Sequence, residues 1–390
     1  MTRRHAVVAG AGIGGLTAAA GLAQRGWSVE VYERAPVIRA TGSGIYIGEN
    51  GLRVLEAVGA YAETLEGGIR FYRRETRDHR NRTVGRYHWP PESGLRIHVV
   101  AREKLVLALR NVAEAAGARI FTGSEVVAAS REGTVRLADG SERQGDLVIG
   151  ADGVYSKVRE SVGFPGRIQS LNCGAIRAIV PRLPTDRDLP DDTYAEYWSG
   201  VRRVFYAPIT ATETYLALMT VDNDVEGTRE PPDIDAWSRS FPSIAPVLRR
   251  IVNPLRWTPF EQVKLDQWHI GRVALLGDAA HAMSANLGQG GGTALMDGIS
   301  LAANVSATDD LEAGLARWES RERPIVDRIQ LVSNLYGKLS YWPTWPRYAA
   351  LWAMNRSEWV KNIRTVASNY VPDGVEVPAL GAGGQPPRPA

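Results

Sequence analysis

His5-Ala-Val-Val-Ala-Gly10-Ala-Gly12-Ile-Gly14-Gly15 is the stretch that decides the fold. Its apolar run ends at a glycine, which predicts a short buried strand. Leu16 to Arg25 is rich in Ala and Leu and is followed by Gly26, which predicts a helix closed by a C-terminal glycine. Trp27 to Glu33 predicts a second strand. A strand, a helix and a strand within about thirty residues have the size of a parallel crossover. Three glycines in its turn let the chain reverse tightly, let a pyrophosphate approach the backbone and let the helix pack on the strand. The start of the helix then offers free N–H groups and positive potential to phosphates. Glu33, at the end of the second strand, is placed to accept hydrogen bonds from a ribose. Together these features predict dinucleotide binding by Gly10, Gly12, Gly14, Gly15, Glu33 and the adjoining Arg34. The alternative is a glycine-rich turn in some other α/β protein. The unit alone does not separate NAD from FAD.

The remaining composition narrows the class. The chain has 390 residues, with 46 Lys and Arg against 43 Asp and Glu, a net charge of only +3. That balance lacks the clustered basic excess of a nucleic-acid binder. The one cysteine, Cys173, forms no intrachain disulfide and no multi-thiolate metal site, so no metal is predicted and a reducing cytoplasm fits. Arg3-Arg4 before an apolar run admits an export signal, but the glycine-rich crossover is the better reading of that run. No stretch reaches the ~18 apolar residues of a membrane span.

Further along, Arg102 to Ala116 predicts an amphipathic helix. Arg119–Phe121, Val126–Ala129 and Thr134–Leu137 predict short strands, and Asp146–Gly150 a buried one. From about 171 to 222 strand follows strand: Gly174–Val180, Thr193–Trp198, Arg203–Ile209 and Glu213–Val221. A helix is expected over Ile234–Val252, interrupted by Pro242 and Pro246. A buried strand follows at Arg272–Leu276, then a helix at Gly288–Val305 and mostly helix over 311–364. The fold class is therefore α/β, with a Rossmann-like nucleotide-binding domain over 1–70, 98–165 and 265–335, which the family resemblance given below implies is GR2-type. An inserted, mostly antiparallel substrate-binding sheet takes 71–97 and 166–264. Residues 336–371 form a C-terminal helical region, and the Gly/Pro/Ala-rich 372–390 reads as a disordered tail. Trp342, Trp345, Trp352 and Trp359 read as a helix packed on the nucleotide domain or on a second copy, with a membrane-surface helix as the alternative.

Two further motifs carry a family resemblance. Gly277-Asp278-Ala-Ala-His281, followed by Gly288-Gln-Gly290-Gly291-Gly292, resembles the second flavin-binding motif of the single-component FAD-dependent aromatic hydroxylases. Gly150-Ala-Asp152-Gly153 resembles their middle motif, which serves FAD and the nicotinamide donor. Arg102 resembles the arginine that contacts the flavin diphosphate. The resemblance implies FAD as cofactor, with Asp152, Asp278, Gly288, Gly290 and Gly291 among its binding residues, and NAD(P)H as a transient donor. A helix opening at Gly288–Gly292 can also stabilise negative charge on a reduced flavin. The segment Gly42–Ala60, with Gly44 and Ile45 facing the flavin, resembles the pyridine-ring oxygenases of that family. Ile176–Arg182 and Arg203–Pro208 share this likeness.

Strand periodicity points to a substrate face. Arg203, Phe205 and Ala207 share one side of their strand, and Tyr215, Ala217 and Met219 share one side of the next. Arg177 sits on a third. A buried arginine or tyrosine needs a partner, and a substrate carboxylate or ring oxygen supplies one. The resemblance puts Arg203 and Tyr215 in catalytic roles, Arg203 holding a ring anion or acidic group and Tyr215 bonding the ring oxygen. The bland alternative is a wet sheet face. Two departures stand out. Ala285 occupies the position where the family carries a proline beside the reacting ring. Arg74 aligns with a pocket tyrosine, with Tyr72 two residues away. Arg177, Tyr72, Arg74 and Ala285 are thus the candidate substrate contacts.

The resemblance implies an NAD(P)H-consuming monooxygenase that passes oxygen from a flavin hydroperoxide to an electron-rich ring. The favoured substrate is a hydroxylated, acidic pyridine derivative. A hydroxybenzoate hydroxylase, an FAD dehydrogenase or reductase without oxygen transfer, and a flavin protein that only sequesters a ligand stay open. The implied partners are a small aromatic substrate and O2, with no nucleic acid or membrane, in a monomer or homodimer.

Overall fold

The first strand, His5–Ala9, is buried almost throughout and lies inside a six-stranded sheet. The structure, a computed structural model, describes residues 3–38, 43–186, 189–252, 255–357 and 368–376. In that sheet the order is His269–Ile270, Val273–Leu275, Leu147–Gly150, His5–Ala9, Ser28–Glu33, Arg119–Thr122. All neighbours are parallel except the outermost hairpin at 269–275. Strands covered on both faces read as continuous apolar runs, which is why Val7, Val8, Val148 and Ile149 made this sheet visible in the sequence. Helices Ile13–Gln24 and Gly290–Ser306 pack on each other in backbone contact. A Cβ at Gly298 would meet the Ala18 nitrogen at 2.8 Å and the Gly14 oxygen at 2.9 Å.

A seven-stranded sheet faces this unit, in the order Thr258–Leu265, Gly166–Pro181, Glu213–Val221, Arg202–Pro208, Thr193–Ser199, Arg73–Asp78, Thr83–His88. Alternation divides its residues. Ile176, Val204, Leu216 and Leu218 point to one side and are sealed by Trp237, Phe241 and Leu248 from the short helices Ile234–Ser240 and Ala245–Leu248 and the turn between them. Arg177, Arg203, Phe205, Tyr215 and Glu196 take the other side, toward the nucleotide-binding sheet.

Three elements differ from the sequence reading. Strand Thr258–Leu265 was not expected, and its partner begins at Gly166 rather than Gly174. Residues 166–170 are exposed on both faces, so they carry no apolar alternation. The helix expected over 234–252 breaks at Pro242 as expected, into a 3-10 turn at Pro242–Ile244, because Pro242 lacks a donor and pushes the residue before it out of helical geometry, but Pro246 makes no second break and instead sits in the first turn of the helix Ala245–Leu248.

At the C-terminal end, the 27-residue helix Leu311–Gly337 is followed by Thr344–Arg356. That last helix packs on the seven-stranded sheet, not on the nucleotide domain: Leu351 joins a cluster with Trp198 and Tyr336, and Tyr348 OH donates to the Trp198 carbonyl at 2.9 Å. Trp342, Trp345 and Trp352 point outward and are 46%, 80% and 52% exposed, so they build no core; Trp359 lies outside the described residues. Residues 372–376 are ordered rather than loose. Asp373 pairs with Arg321 at 3.0 Å and accepts from Asn304 Nδ2 at 3.0 Å, an anchor that composition does not encode. The rest of the proposed tail, 377–390, lies outside the described residues. Among those residues no helix is long and apolar enough to cross a membrane.

Candidate functional site

One cavity of about 730 Å3 lies between the carboxyl ends of the parallel strands and the polar side of the seven-stranded sheet. Crevices at the carboxyl ends of parallel strands are where such folds bind ligands. Its nucleotide end is built from the sequence motifs. Gly10 has φ +101°, and a Cβ there would sit 2.4 Å from the Ala151 oxygen, so only glycine lets the first strand end against the 151–153 loop. Gly12 precedes helix Ile13–Gln24 with no side-chain cap, which leaves N–H groups for a ligand; Gly12, Ile13 and Gly14 all line the cavity. Gly15 stands behind, packed on Gly10. Glu33 ends its strand and accepts from the Ala11 and Ala35 nitrogens at 2.8 and 2.9 Å, which fixes its carboxylate at the rim beside Arg34.

The opposite wall is Ser43 to Tyr46 and Arg102, whose nitrogen donates to the Ser43 carbonyl at 2.8 Å; Gly42 lies outside the described residues. Asp152 Oδ2 accepts from the Lys157 and Val158 nitrogens at 2.8 and 3.1 Å, while its buried Oδ1 has no hydrogen-bond partner among the described residues. Burial pushes this carboxyl above its ordinary value, only partly offset by the Ser156 side chain and by backbone hydrogen bonds. Asp278, Ala285, Gly288, Gly290 and Gly291 complete the lining. His281 does not reach the cavity. Its Nε2 bonds to Asp297, and although burial lowers its pKa, that carboxylate outweighs burial and keeps it raised. The uncapped helix start, the close approach at Gly10, the orphaned Asp152 oxygen and the Arg102 cation fit a dinucleotide carrying a flavin.

The substrate end is aromatic with embedded charges. Arg203 is 2% exposed; its Nη2 bonds to Asn286 Oδ1, and its guanidinium lies 5.0 Å over Trp198 and 5.5 Å over Tyr336. Its Nε and Nη1 make no hydrogen bond among the described residues. Tyr215 is also buried. Burial raises its phenol, countered by Arg177 and Ser43, which hydrogen-bond its side chain. In the sheet Arg203 stands opposite Met219, Phe205 opposite Ala217 and Ala207 opposite Tyr215. Four residues therefore separate Arg203 from Tyr215, about 13 Å along the strands. The two are thus offset along the cavity wall, and both line it. Arg177 lines the cavity with its guanidinium 5.5 Å from the Phe260 ring.

Arg74 lines the cavity and Tyr72 does not. Tyr72 precedes the strand Arg73–Asp78, and its ring lies under the Arg70 guanidinium at 4.8 Å. Sequence reasoning missed Glu196, Asn286, Tyr194 and Trp89, all in the wall. Glu196 had a signal: a carboxylate alternating with Tyr194 and Trp198 in an apolar strand, the same anomaly that exposed Arg203. Asn286 had none, because it stands in a turn that only the fold brings to Arg203.

These features define a flavin-dependent oxidoreductase with an enclosed aromatic site. Residues 3–329 match the FAD binding domain family, and the chain belongs to it. It is 41% identical over 361 residues to 2-heptyl-3-hydroxy-4(1H)-quinolone synthase of Mycobacteroides abscessus, covering 92% of this chain and 96% of that one. It is 29% identical to 6-hydroxynicotinate 3-monooxygenase of Pseudomonas fluorescens, covering 87% and 93%. The tetrameric form of 2-methyl-3-hydroxypyridine-5-carboxylic acid oxygenase superposes with a TM-score of 0.85 at 37% identity, covering 95% and 97%. The protein is an FAD-dependent aromatic monooxygenase of this family.

Proposed function

We propose that the protein adds one oxygen atom to a ring carbon of an electron-rich nitrogen heteroaromatic of the 4-quinolone type, a benzo-fused pyridone. The balance is substrate C–H plus O2, NAD(P)H and a proton giving substrate C–OH, NAD(P)+ and water. The observation that carries this reading is Arg203, a buried cation in an aromatic wall, with two nitrogens that have no hydrogen-bond partner among the described residues. Such a group calls for an anion. A ring oxygen supplies it without a bulky acidic side group. Tyr46, Trp89, Tyr194 and Phe205 offer flat faces to a fused ring system; Trp89 and Tyr194 lie stacked at 6.1 Å. The relative named for 3-hydroxy-4(1H)-quinolone formation supports the same class. A monocyclic hydroxypyridine is the second reading, favoured by the 37% identical hydroxypyridine oxygenase.

When bound, the flavin supplies electron transfer from the nicotinamide and the activation of oxygen. Asp152, Asp278, Arg102 and the Gly10 and Gly288 turns would hold it. Arg203 orients the ring by its oxygen and favours the anionic form, which raises electron density at the adjacent carbon. The aromatic wall keeps water from the reacting edge.

The test is a panel of 4(1H)-quinolones, hydroxypyridines and hydroxybenzoates, scored for stimulated NADH and NADPH oxidation, oxygen uptake and product mass. A quinolone that gains one oxygen atom per O2 consumed supports the reading. Stimulation by hydroxybenzoates alone, or NAD(P)H oxidation without a hydroxylated product from any ring, overturns it.

A further inference from the structure

Arg203 rests on a residue that does not itself line the cavity. Its guanidinium lies 5.0 Å over the ring of Trp198, its cross-strand neighbour in the hairpin of Thr193–Ser199 and Arg202–Pro208. It also lies 5.5 Å from the Tyr336 ring, which meets Trp198 edge to face at 6.1 Å. These two rings are anchored differently. The Tyr336 hydroxyl donates to Glu196 at 2.5 Å. The Trp198 indole nitrogen is buried with no hydrogen-bond partner among the described residues, so packing fixes the plane of that ring.

Much of that packing comes from the helix Thr344–Arg356, which lies beyond residue 329, where the family match ends. Arg347 is 1% exposed. Its guanidinium lies 5.6 Å from the Trp198 ring, and its Nη1 donates to the Gly200 carbonyl in the turn of the same hairpin. The next residue, Tyr348, donates its hydroxyl to the Trp198 carbonyl at 2.9 Å. The helix therefore holds the hairpin at its turn, at the Trp198 ring and at the Trp198 backbone, all beside Arg203. Burying a guanidinium whose Nε makes no hydrogen bond among the described residues is unfavourable for stability alone.

We infer that Arg347 is a positioning residue for substrate binding. Acting through Trp198, it fixes the indole plane on which Arg203 lies, and with it the direction in which Arg203 presents Nε and Nη1 to a ring oxygen. A guanidinium holds an aromatic ring by attraction to its face and by its own planar shape. With Trp198 loosened, the Arg203 guanidinium would tilt, and hydrogen bonds weaken steeply with angle. This rests on the reading of Arg203 as the group that binds the ring oxygen, and holds for any heteroaromatic that carries that oxygen.

The test is a double-mutant cycle on the FAD-loaded enzyme, with 4(1H)-quinolone titrated by the change in flavin absorbance, so that binding is read without turnover. Arg347→Met keeps most of the stem and removes the planar cation. It should raise the quinolone Kd about three- to tenfold, with flavin content at the wild-type level. In the Arg203→Ala background the same change should move Kd by less than about twofold, because the residue it acts through is gone. An unchanged Kd in folded Arg347→Met overturns the inference. So does an equal loss in both backgrounds, the signature of a merely structural role. Should Arg347→Met fail to fold or lose its flavin, Arg347→Lys keeps the charge and a donor for the Gly200 carbonyl. It should raise Kd at least about twofold, and only where Arg203 is present. A Kd that is unchanged, or that rises equally without Arg203, overturns the inference there too. If the wild type binds a hydroxypyridine or a hydroxybenzoate but no quinolone, the quinolone reading falls, and the same cycle with that ring decides Arg347 by itself. A wild type whose flavin responds to no ring of the panel removes both.

Discussion

Arg203 on the seven-stranded sheet and Asn286 in the loop after the Gly277-Asp278 motif are joined by a hydrogen bond inside the cavity. Asn286 Nδ2 in turn donates to Ser284 Oγ at 2.9 Å and to the Ser333 carbonyl at 3.2 Å. One short chain of contacts therefore ties the substrate wall to the flavin-side loop and to the long C-terminal helix. It sits next to Ala285, where the family carries a ring-locked proline. Side-chain bonds from Asn286 supply in part the rigidity that proline would give the backbone.

Removing the cation should cost substrate affinity first. A charge-assisted hydrogen bond is worth about 1.5–3 kcal/mol, so Arg203→Ala should raise substrate KM by roughly ten- to a hundredfold. Product formed per NAD(P)H consumed should also drop, because a loosely held ring misses the oxygen. Steady-state kinetics with product quantification check this. Unchanged KM and coupling would take Arg203 out of the mechanism.

Asn286→Ala leaves the guanidinium in place and frees its orientation. We expect a smaller rise in KM than for Arg203→Ala, about three- to tenfold, with the coupling loss in the same direction. In the double variant the two effects should be less than additive, since both act through one contact. Strict additivity in a double-mutant cycle would show that the bond does no positioning.

Gly10→Ala tests the cofactor cradle. The added Cβ would meet the Ala151 carbonyl, in a backbone region where L-residues are strained. Flavin affinity should fall at least tenfold. The purified variant should carry substoichiometric FAD by its visible absorbance ratio. A fully yellow variant with native affinity would contradict this account of the turn.

Glu322, buried on the helix Leu311–Gly337, gives the protein a pH signature. Tyr370 OH donates to it at 3.1 Å, and burial, reinforced by the Asp297 charge, pushes its carboxyl from 4.5 up to about 8. Below pH 4.5 the folded and unfolded chains both keep this proton. As pH rises toward 8 the unfolded chain releases it while the folded chain retains it. Stability from this group therefore falls with rising pH, by up to about 1.4 kcal/mol per unit, and levels off above 8. Glu322→Gln, which stays neutral, should match or slightly trail the wild type in Tm at pH 5 and exceed it at pH 8.5. Parallel Tm curves for the two proteins would refute the raised pKa.

How much was legible follows from where each signal resides. The crossover from His5 to Glu33 was readable because strand, turn, helix and acid are consecutive, so each element's chemistry is local. The sheet face bearing Arg203, Phe205, Tyr215 and Met219 was readable because a strand alternates with period two, and a charge in an apolar alternation stands out. Glu196 carried that anomaly and was passed over. Strand Thr258–Leu265 and the outer half of its partner escaped because exposed strands carry no apolar pattern. The tryptophans at 342, 345 and 352 lie outside the core of this chain, because aromatic content does not tell which side of a helix is buried.

By itself, then, the order of residues determined the buried strands and the glycine turns that mark a dinucleotide site, since those depend on neighbours within a few tens of positions, while FAD rather than NAD followed from the family resemblance of the motifs at 150–153 and 277–292. Tertiary structure alone decided which charges meet. Asn286 reaches Arg203 across 83 residues, Tyr336 reaches Glu196 across 140, and Arg203 and Tyr215, only twelve positions apart, are offset along one cavity wall. Electrostatic pairing depends on distance in space inside a low-dielectric pocket, and chain separation carries no information about it.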